Sequence, residues 1–228
     1  MKKMVVLLSG GLDSTTLLAW AKALDYEVVP VSFDYGQRHA KELTAALEVA
    51  LYYGITEVKK FNLGRLFTDN PSNPLTGGGP MPTGTYEELI EKTGVAETYV
   101  PYRNGIFLSI AAAHALNVGA DAVAYAAHAT DSRGGAYPDC TETFVAYQRS
   151  AIFAGTGQKV TLTAPFVKLT KAEVVKMGMD FEAPFHLTWS CYEGDIDPCG
   201  KCPTCLERAA AFKANGIDDP ILVKEVAE

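Results

Sequence analysis

Ser9-Gly10-Gly11-Leu12-Asp13-Ser14, entered from Met4-Val5-Val6-Leu7-Leu8 and left through Thr15-Thr16-Leu17-Leu18, decides how this chain is read. The apolar run before it reads as a buried strand, and Ser14 to Leu24 as a helix. Two glycines between them let the backbone approach an anion closely. Successive N–H groups and the helix N-terminus then point at that anion, and the hydroxyls of Ser9, Ser14, Thr15 and Thr16 add donors. No Lys follows the glycines, so this is not a Walker A loop, and G-x-G-x-x-G is absent. The plainer reading is a Gly-Gly turn capped by Asp13 or Ser14. The order strand, loop, helix favours the anion site.

Outward from that loop the pattern repeats. Val28 to Phe33 reads as a second strand, Ala40 to Tyr53 as a helix, Val58 to Leu63 as a strand and Gly105 to Asn117 as an apolar helix stopped by Gly119. Ala122 to Ala126 follows as a strand, Thr141 to Phe153 as a helix, Lys159 to Thr163 as a strand, and Thr170 to Met177 as a helix capped by Thr170. Such alternation predicts an α/β fold, a Rossmann-like parallel sheet with helices on both faces. Ligands of these sheets sit at the carboxyl ends of the strands. Gly64 to Thr98 breaks the rhythm with Asn70-Pro71-Ser72-Asn73-Pro74 and Gly77-Gly78-Gly79-Pro80-Met81-Pro82, and reads as a long functional or mobile loop.

With 228 residues, 48% hydrophobic and 21% charged, the chain suits one globular domain with a small appendage. No apolar run reaches the ~18 residues that span a bilayer, so no membrane role is expected. Met1 to Leu8 begins like a signal peptide, but Ser9-Gly10-Gly11 and Asp13 follow so soon that a core strand explains it better. Twenty Lys plus Arg against 27 Asp plus Glu give a net charge of −7. No basic stripe is visible, so a nucleic-acid partner is not expected.

Five cysteines are present: Cys140, and a run spaced Cys191-x7-Cys199-x2-Cys202-x2-Cys205. An odd count with four packed closely argues against a disulfide framework and for a metal site in a reducing, cytoplasmic setting. Four thiolates fill a tetrahedral zinc shell, leaving no position for water, so the site reads as structural. An iron–sulfur cluster is the rival, but its usual run needs the fourth Cys downstream and a proline after it, whereas Pro203 here lies inside the run. The helix expected from Cys205 to Ala214 ends at Asn215-Gly216.

Ser-Gly-Gly-x-Asp-Ser directly after the first strand resembles the loop of the PP-loop ATP pyrophosphatases. Phe33-Asp34-Tyr35-Gly36-Gln37-Arg38-His39-Ala40-Lys41-Glu42-Leu43, Val100-Pro101-Tyr102-Arg103-Asn104 and Tyr137-Pro138-Asp139-Cys140, with the four-cysteine segment, are similar to one family among them, the 7-cyano-7-deazaguanine synthases of queuosine biosynthesis. The resemblance runs from about Met4 to Gly216. It implies a loop that holds the pyrophosphate leaving ATP, with Leu8, Ser9, Gly10, Gly11, Leu12, Asp13, Ser14, Thr15, Thr16, Leu17 and Leu18 lining the ATP site, and Asp13 helping to hold Mg²⁺ or ordering the loop. Residues 1–188 then form the adenylating domain, with 64–98 its long loop, and 189–228 the zinc-binding segment.

The implied reaction converts 7-carboxy-7-deazaguanine, ammonia and ATP to the nitrile, with AMP and pyrophosphate released at each activation. Ser9, Asp13, Ser14, Arg103 and Lys171 are the candidate catalytic residues. Arg103 would clamp phosphate or carboxylate, against a surface ion pair as the plainer reading. Lys171 would neutralise the α-phosphate, against a solvated helix lysine. Arg103, Asn104, Tyr137 and Asp139 are candidates to bind the substrate. Cys140 reads as a buried thiol. His39 and His114 read as structural, and His128, which follows a strand, as a candidate proton shuttle. The family's Arg after Tyr-Pro-Asp-Cys is Thr141 here, and Arg133 and Arg149 are the candidates to replace it. A chain this short leaves no space for a glutaminase domain, so free ammonium is the expected nitrogen source. The resemblance also implies a homodimer. A tRNA-modifying PP-loop ligase or thiolase, and a nucleotide-binding sensor without catalysis, are the alternatives.

Overall fold

Five strands form one parallel sheet in the order β3-β2-β1-β4-β5. They are β1 (Lys3–Leu7), β2 (Glu27–Asp34), β3 (Lys59–Asn62), β4 (Ala122–Ala124) and β5 (Thr161–Thr163). The computed structural model describes residues 2–38, 41–64, 66–194 and 196–222. His39 lies outside the described residues.

Alternation along β1 sorts the core into two layers. Met4, Val6 and Leu8 point to one face, where α1 (Leu12–Ala23), α2 (Lys41–Tyr52), α7 (Lys171–Asp180) and α8 (Pro203–Ala214) contribute Leu17, Val49, Val174 and Phe212. Val5 points to the other, covered by α4 (Arg103–Val118) and α6 (Glu142–Gly155) through Phe107, Leu108, Ala111, Val145 and Ile152. A sheet buried on both faces needs continuous apolar strands, which β1 and β4 supply. Deleting one of these side chains, as in Phe212→Ala, costs roughly 3–5 kcal/mol, read as a fall in melting temperature.

The order of strands places β1 in the centre with β4 beside it, and the connections run to opposite sides of the sheet from there. This is the switch point at which ligands of open α/β sheets sit. The loop after β1 and the short turn after β4 therefore share one crevice, although more than a hundred residues separate them.

Several boundaries differ from the sequence reading. Helix α4 begins at Arg103, with Tyr102 in the left-handed region (φ 55°) as its N-cap. Gly119 ends it with a left-handed C-cap, as expected. Strand β4 stops at Ala124, and α5 (Ala129–Ser132) begins after four further residues. The stretch 64–98 is not one open loop. It contains α3 (Tyr86–Thr93), opened by a reciprocal Thr85–Glu88 capping box, and buries Leu75 and Met81 in the core. Asn73 ties it down by donating to the Tyr99 carbonyl (2.9 Å) and accepting from Leu75 N–H (2.9 Å).

The C-terminal segment is stapled to both layers. Arg208, 4% exposed, makes a two-point pair with Asp219 (2.6 and 2.8 Å) and donates to Thr188 Oγ1 (2.7 Å). The fork geometry suits a buried guanidinium, and Asp219 neutralises it.

Candidate active site

The loop after β1 is built around one backbone conformation. Gly10 has φ +84°, and a Cβ there would stand 2.2 Å from the Glu42 carbonyl oxygen and 2.5 Å from the Ala46 nitrogen of α2. Both are backbone atoms and cannot swing away. Gly10→Ala is expected to cost roughly 2–5 kcal/mol from the left-handed conformation and the overlap together, measured by denaturant unfolding. Gly11 differs: its nearest neighbour to an added Cβ is Ser9 Oγ at 3.4 Å. Nothing in the fold itself demands glycine there, but the residue lines the cavity, where a bare backbone admits an anion.

Gly11 is also the N-cap of α1, and no side chain caps it. Helices α3 and α7, by contrast, both carry capping boxes. The first-turn N–H groups of α1 thus lack a side-chain partner, at the helix end whose dipole favours negative charge. Ser9 and Ser14 hold the loop's shape: their hydroxyls lie 3.1 Å apart, Ser9 N–H donates to Ser14 Oγ (3.2 Å) and Ser14 Oγ donates to the Gly11 carbonyl (3.1 Å).

Asp13 stands in the first turn of α1. Its Oδ2 accepts from Lys171 Nζ (3.0 Å), and its Oδ1 lies 3.5 Å from His128 Nε2. Lys171 Nζ also meets Glu207 of α8 at 3.1 Å. Burial alone would raise the Asp13 pKa, but Lys171 and then His128 outweigh it and hold the carboxyl well below the usual range. Burial favours a neutral Lys171, yet Asp13 and Glu207 push its pKa up, so it stays an ammonium. The lysine is 8% exposed, which sets aside the solvated-lysine reading.

A cavity of about 250 Å³ opens on this pair. Ser9, Gly11, Asp13, Ser14 and Lys171 line it. Tyr35, Glu42, Arg103, Asn104, Phe107, Tyr137 and Cys140 line it as well, with Tyr86 from α3 and Trp189, Ser190, Tyr192, Thr204 and Glu207 from the cysteine segment. The guanidinium of Arg103 donates to Tyr35 Oη (2.9 Å) and lies over the Tyr35 ring at 5.2 Å. It is a cavity group rather than a surface ion pair. Burial raises the Glu42 pKa to about 7, against the pull of Arg103 and of the Gln37 amide that donates to it (3.0 Å). Burial likewise raises the Cys140 thiol well above its ordinary value, so it is protonated and a poor nucleophile. Asn104 Nδ2 approaches its sulfur at 3.3 Å.

Asp139 is 3% exposed and accepts the Asn104 backbone N–H (3.0 Å). It fixes the start of α4 from behind and is not among the cavity-lining residues. Neither arginine proposed to replace the family's missing one reaches the cavity. Arg133 pairs with Glu87 on the surface (2.6 Å), and Arg149 donates to the Leu162 carbonyl (3.0 Å). Thr141 caps α6 instead, accepting from Phe144 N–H (3.2 Å). His114 packs edge-on against Phe61, away from the cavity. His128 is fully buried and also does not line the cavity, so it is no shuttle in contact with substrate. Sequence reasoning passed over Asp131 and Glu207, which do line it.

The four sulfurs of Cys191, Cys199, Cys202 and Cys205 lie within 4.8 Å of one another. Backbone N–H groups of Glu193, Gly194 and Cys199 point at Cys191 Sγ (3.4, 3.0 and 3.2 Å), and that of Cys202 at Cys199 Sγ (3.4 Å). Donors aimed at sulfur stabilise thiolates, so the set fits a metal ion. His128, Asp131 and Glu207 also bring ligand atoms within 4.8 Å of one another. There, however, His128 Nδ1 accepts the Asp131 backbone N–H (3.3 Å). The ring proton therefore sits on Nε2, the atom a metal would need, and Lys171 already supplies the cation.

Residues 3–216 match the family model described as queuosine biosynthesis protein QueC. The chain belongs to this family. A 7-cyano-7-deazaguanine synthase of Archaeoglobus fulgidus is 43% identical over 98% of this chain and 91% of its own length. One of Oceanobacillus iheyensis is 42% identical over 96% of this chain and 97% of its own. Among solved structures, a predicted subunit of tRNA methyltransferase from Methanocaldococcus jannaschii has the same fold, with a TM-score of 0.51 and 16% identity across 99% of this chain and 94% of that one. Among the described residues no helix is long and apolar enough to cross a membrane.

Proposed function

We propose that this QueC-family chain is a 7-cyano-7-deazaguanine synthase, which uses ATP and ammonium to convert 7-carboxy-7-deazaguanine to the nitrile. The uncapped N-terminus of α1, flanked by the Asp13–Lys171 pair at the switch point of the sheet, carries this reading. A carboxylate is a poor electrophile. Transfer of AMP to its oxygen makes a good leaving group, ammonia gives the amide, and a second transfer to the amide oxygen permits elimination to the nitrile. Each transfer frees pyrophosphate, and the loop from Ser9 to Ser14 presents donors where that charge develops. In this reading Lys171 meets the α-phosphate and Arg103 the carboxylate or phosphate, with Asn104 and Tyr137 against the ring. No covalent protein nucleophile is required, in keeping with a protonated Cys140. Mg²⁺ bound with the triphosphate would neutralise part of its charge.

Zinc suits the cysteine site, because four sulfurs complete its shell. Its role is structural, binding the segment from 189 onward to residues 1–188 and forming one wall of the cavity. The protein acts in the cytoplasm, and as a homodimer by family resemblance.

Purified protein given ATP, ammonium and the deazapurine acid is expected to form AMP and pyrophosphate, and glutamine in place of ammonium is expected to support no turnover. Product formation that requires tRNA, or tight nucleotide binding without turnover, would overturn the reading.

A further inference from the structure

We propose that Asp131, seated by His128, is the general base that takes protons from nitrogen during amide and nitrile formation; this rests on the synthase reading above. Ammonia carries three N–H bonds and the nitrile none, so the site must move protons repeatedly beside the adenylated carbon. In the first half, ammonia attacks the acyl carbon and the C=O electron pair moves to oxygen. Asp131 takes one proton from the cationic nitrogen, C=O reforms, and the C–O bond to AMP breaks with its electrons leaving on AMP. In the second half, the adenylated amide gives up one N–H proton to become the neutral imidate. Loss of the last N–H proton lets those electrons form the third C–N bond while AMP departs. Each proton passes from Asp131 to solvent before the next.

Geometry separates Asp131 from its neighbours. It lines the cavity beside the phosphate loop, and one atom, His128 Nε2, stands 3.4 Å from Asp131 Oδ2 and 3.5 Å from Asp13 Oδ1. The carboxylate thus lines the same cavity as Asp13 and shares a neighbour with it, beside the loop where the synthase reading puts the acyl phosphate. Protonation of His128 at Nδ1 would break the bond it accepts from the Asp131 backbone N–H (3.3 Å), and its Nε2 stands between the two carboxylates, 3.4 and 3.5 Å away, without a hydrogen bond to either. It is a positioning residue.

The charged and titratable groups facing Asp131 are His128, Lys171, Glu207, Asp13, Tyr125, Tyr137 and Cys140. Burial raises the Asp131 pKa to about 6. His128 and Lys171 pull it down, while Glu207 and Asp13 push it up. A base near 6 is ionised at neutral pH and still accepts a proton readily. Asp13 is held ionised by Lys171 and is a weaker base. The tyrosines Tyr125 and Tyr137 and the thiol of Cys140 have raised values and are donors. Glu42, the other cavity carboxyl with a raised value, accepts from Gln37 and feels the charge of Arg103.

Three readouts on Asp131→Asn test this. Acid-dependent exchange of pyrophosphate into ATP, which reports adenylation alone, is expected within about threefold of wild type, while amide and nitrile formation fall about 10²–10⁴-fold. The acidic limb of the wild-type nitrile rate, near pH 6, is expected to be absent from the residual rate. Asp131→Glu is expected to restore part of the nitrile rate and a titrating limb. Nitrile formation near the wild-type rate in Asp131→Asn, an equal loss of exchange and product, or transfer of the acidic limb to Glu42→Gln would each overturn the assignment. A wild-type protein without acid-dependent exchange would instead overturn the synthase reading.

Discussion

Asp13→Asn is expected to lower AMP formation with the acid substrate about 10³-fold and to leave the fold standing. The substitution keeps volume and removes charge. In the native site Asp13 Oδ2 takes a Lys171 hydrogen bond at 3.0 Å, and Lys171 shares its charge with Glu207 at 3.1 Å. With the carboxylate gone, the lysine is expected to swing to Glu207 and away from the loop between β1 and α1. The amide's NH₂ also turns a donor toward an ammonium or an imidazole N–H. Each change misplaces a charge by about an ångström or more, enough to cost on the order of 10²-fold on its own. AMP formation and circular dichroism measured on the same preparation check this. Activity within threefold of wild type would take Asp13 out of the site.

Loss of one cysteine ligand is the second large effect. Trp189, Ser190, Tyr192, Thr204 and Glu207 all lie in or beside the cysteine segment and all line the cavity. Cys202 is 1% exposed and belongs to the same core layer as Phe107 and Val123. A structural four-ligand zinc site contributes about 10–16 kcal/mol in small peptides, so losing one ligand costs on the order of 3 kcal/mol. For a domain of this size that is a fall of roughly 6–12 °C in melting temperature. Cys202→Ser is expected to weaken the metal's hold and lower the melting temperature by that amount, exhaustive chelation to remove the metal and lower it further, and both to cut synthesis by loosening that wall. Metal analysis, thermal unfolding and a turnover assay on one sample test all three. A metal-free protein of full activity would detach the knot from the site.

Those two sites differ in how much of them the sequence exposes. The cysteine spacing is local, and four sulfurs within 15 residues need little tertiary information to converge. The loop after β1 is equally local, since strand, glycines and helix follow one another. Lys171 is different: its partners Asp13 and Glu207 come from helices at opposite ends of the chain, and only the packing of α7 between α1 and α8 brings them together. Glu207 reads as one more polar helix residue. Asp131 had a signal, three residues after a histidine at the end of a strand, but which carboxylate faces the loop follows from β4 lying beside β1.

Helix α3 carries a local signal of its own. Thr85-x-x-Glu88 is a capping box, and the glycine- and proline-rich stretch around it masked the signal. Thr141, read as the loss of a charged substrate contact, turns out to be the N-cap of α6. Asp139, read as a contact to the ring, accepts the first-turn N–H of α4 instead. Both are cases where a polar side chain satisfies backbone at a helix end, a demand that motif reading does not weigh.

Oxygen tracing tests the central claim most directly. With 7-carboxy-7-deazaguanine labelled with ¹⁸O in its carboxylate, the account predicts that each labelled oxygen leaves on AMP, visible by ³¹P NMR, and that pyrophosphate stays unlabelled. Label found in orthophosphate, with ADP as the nucleotide product, would contradict it.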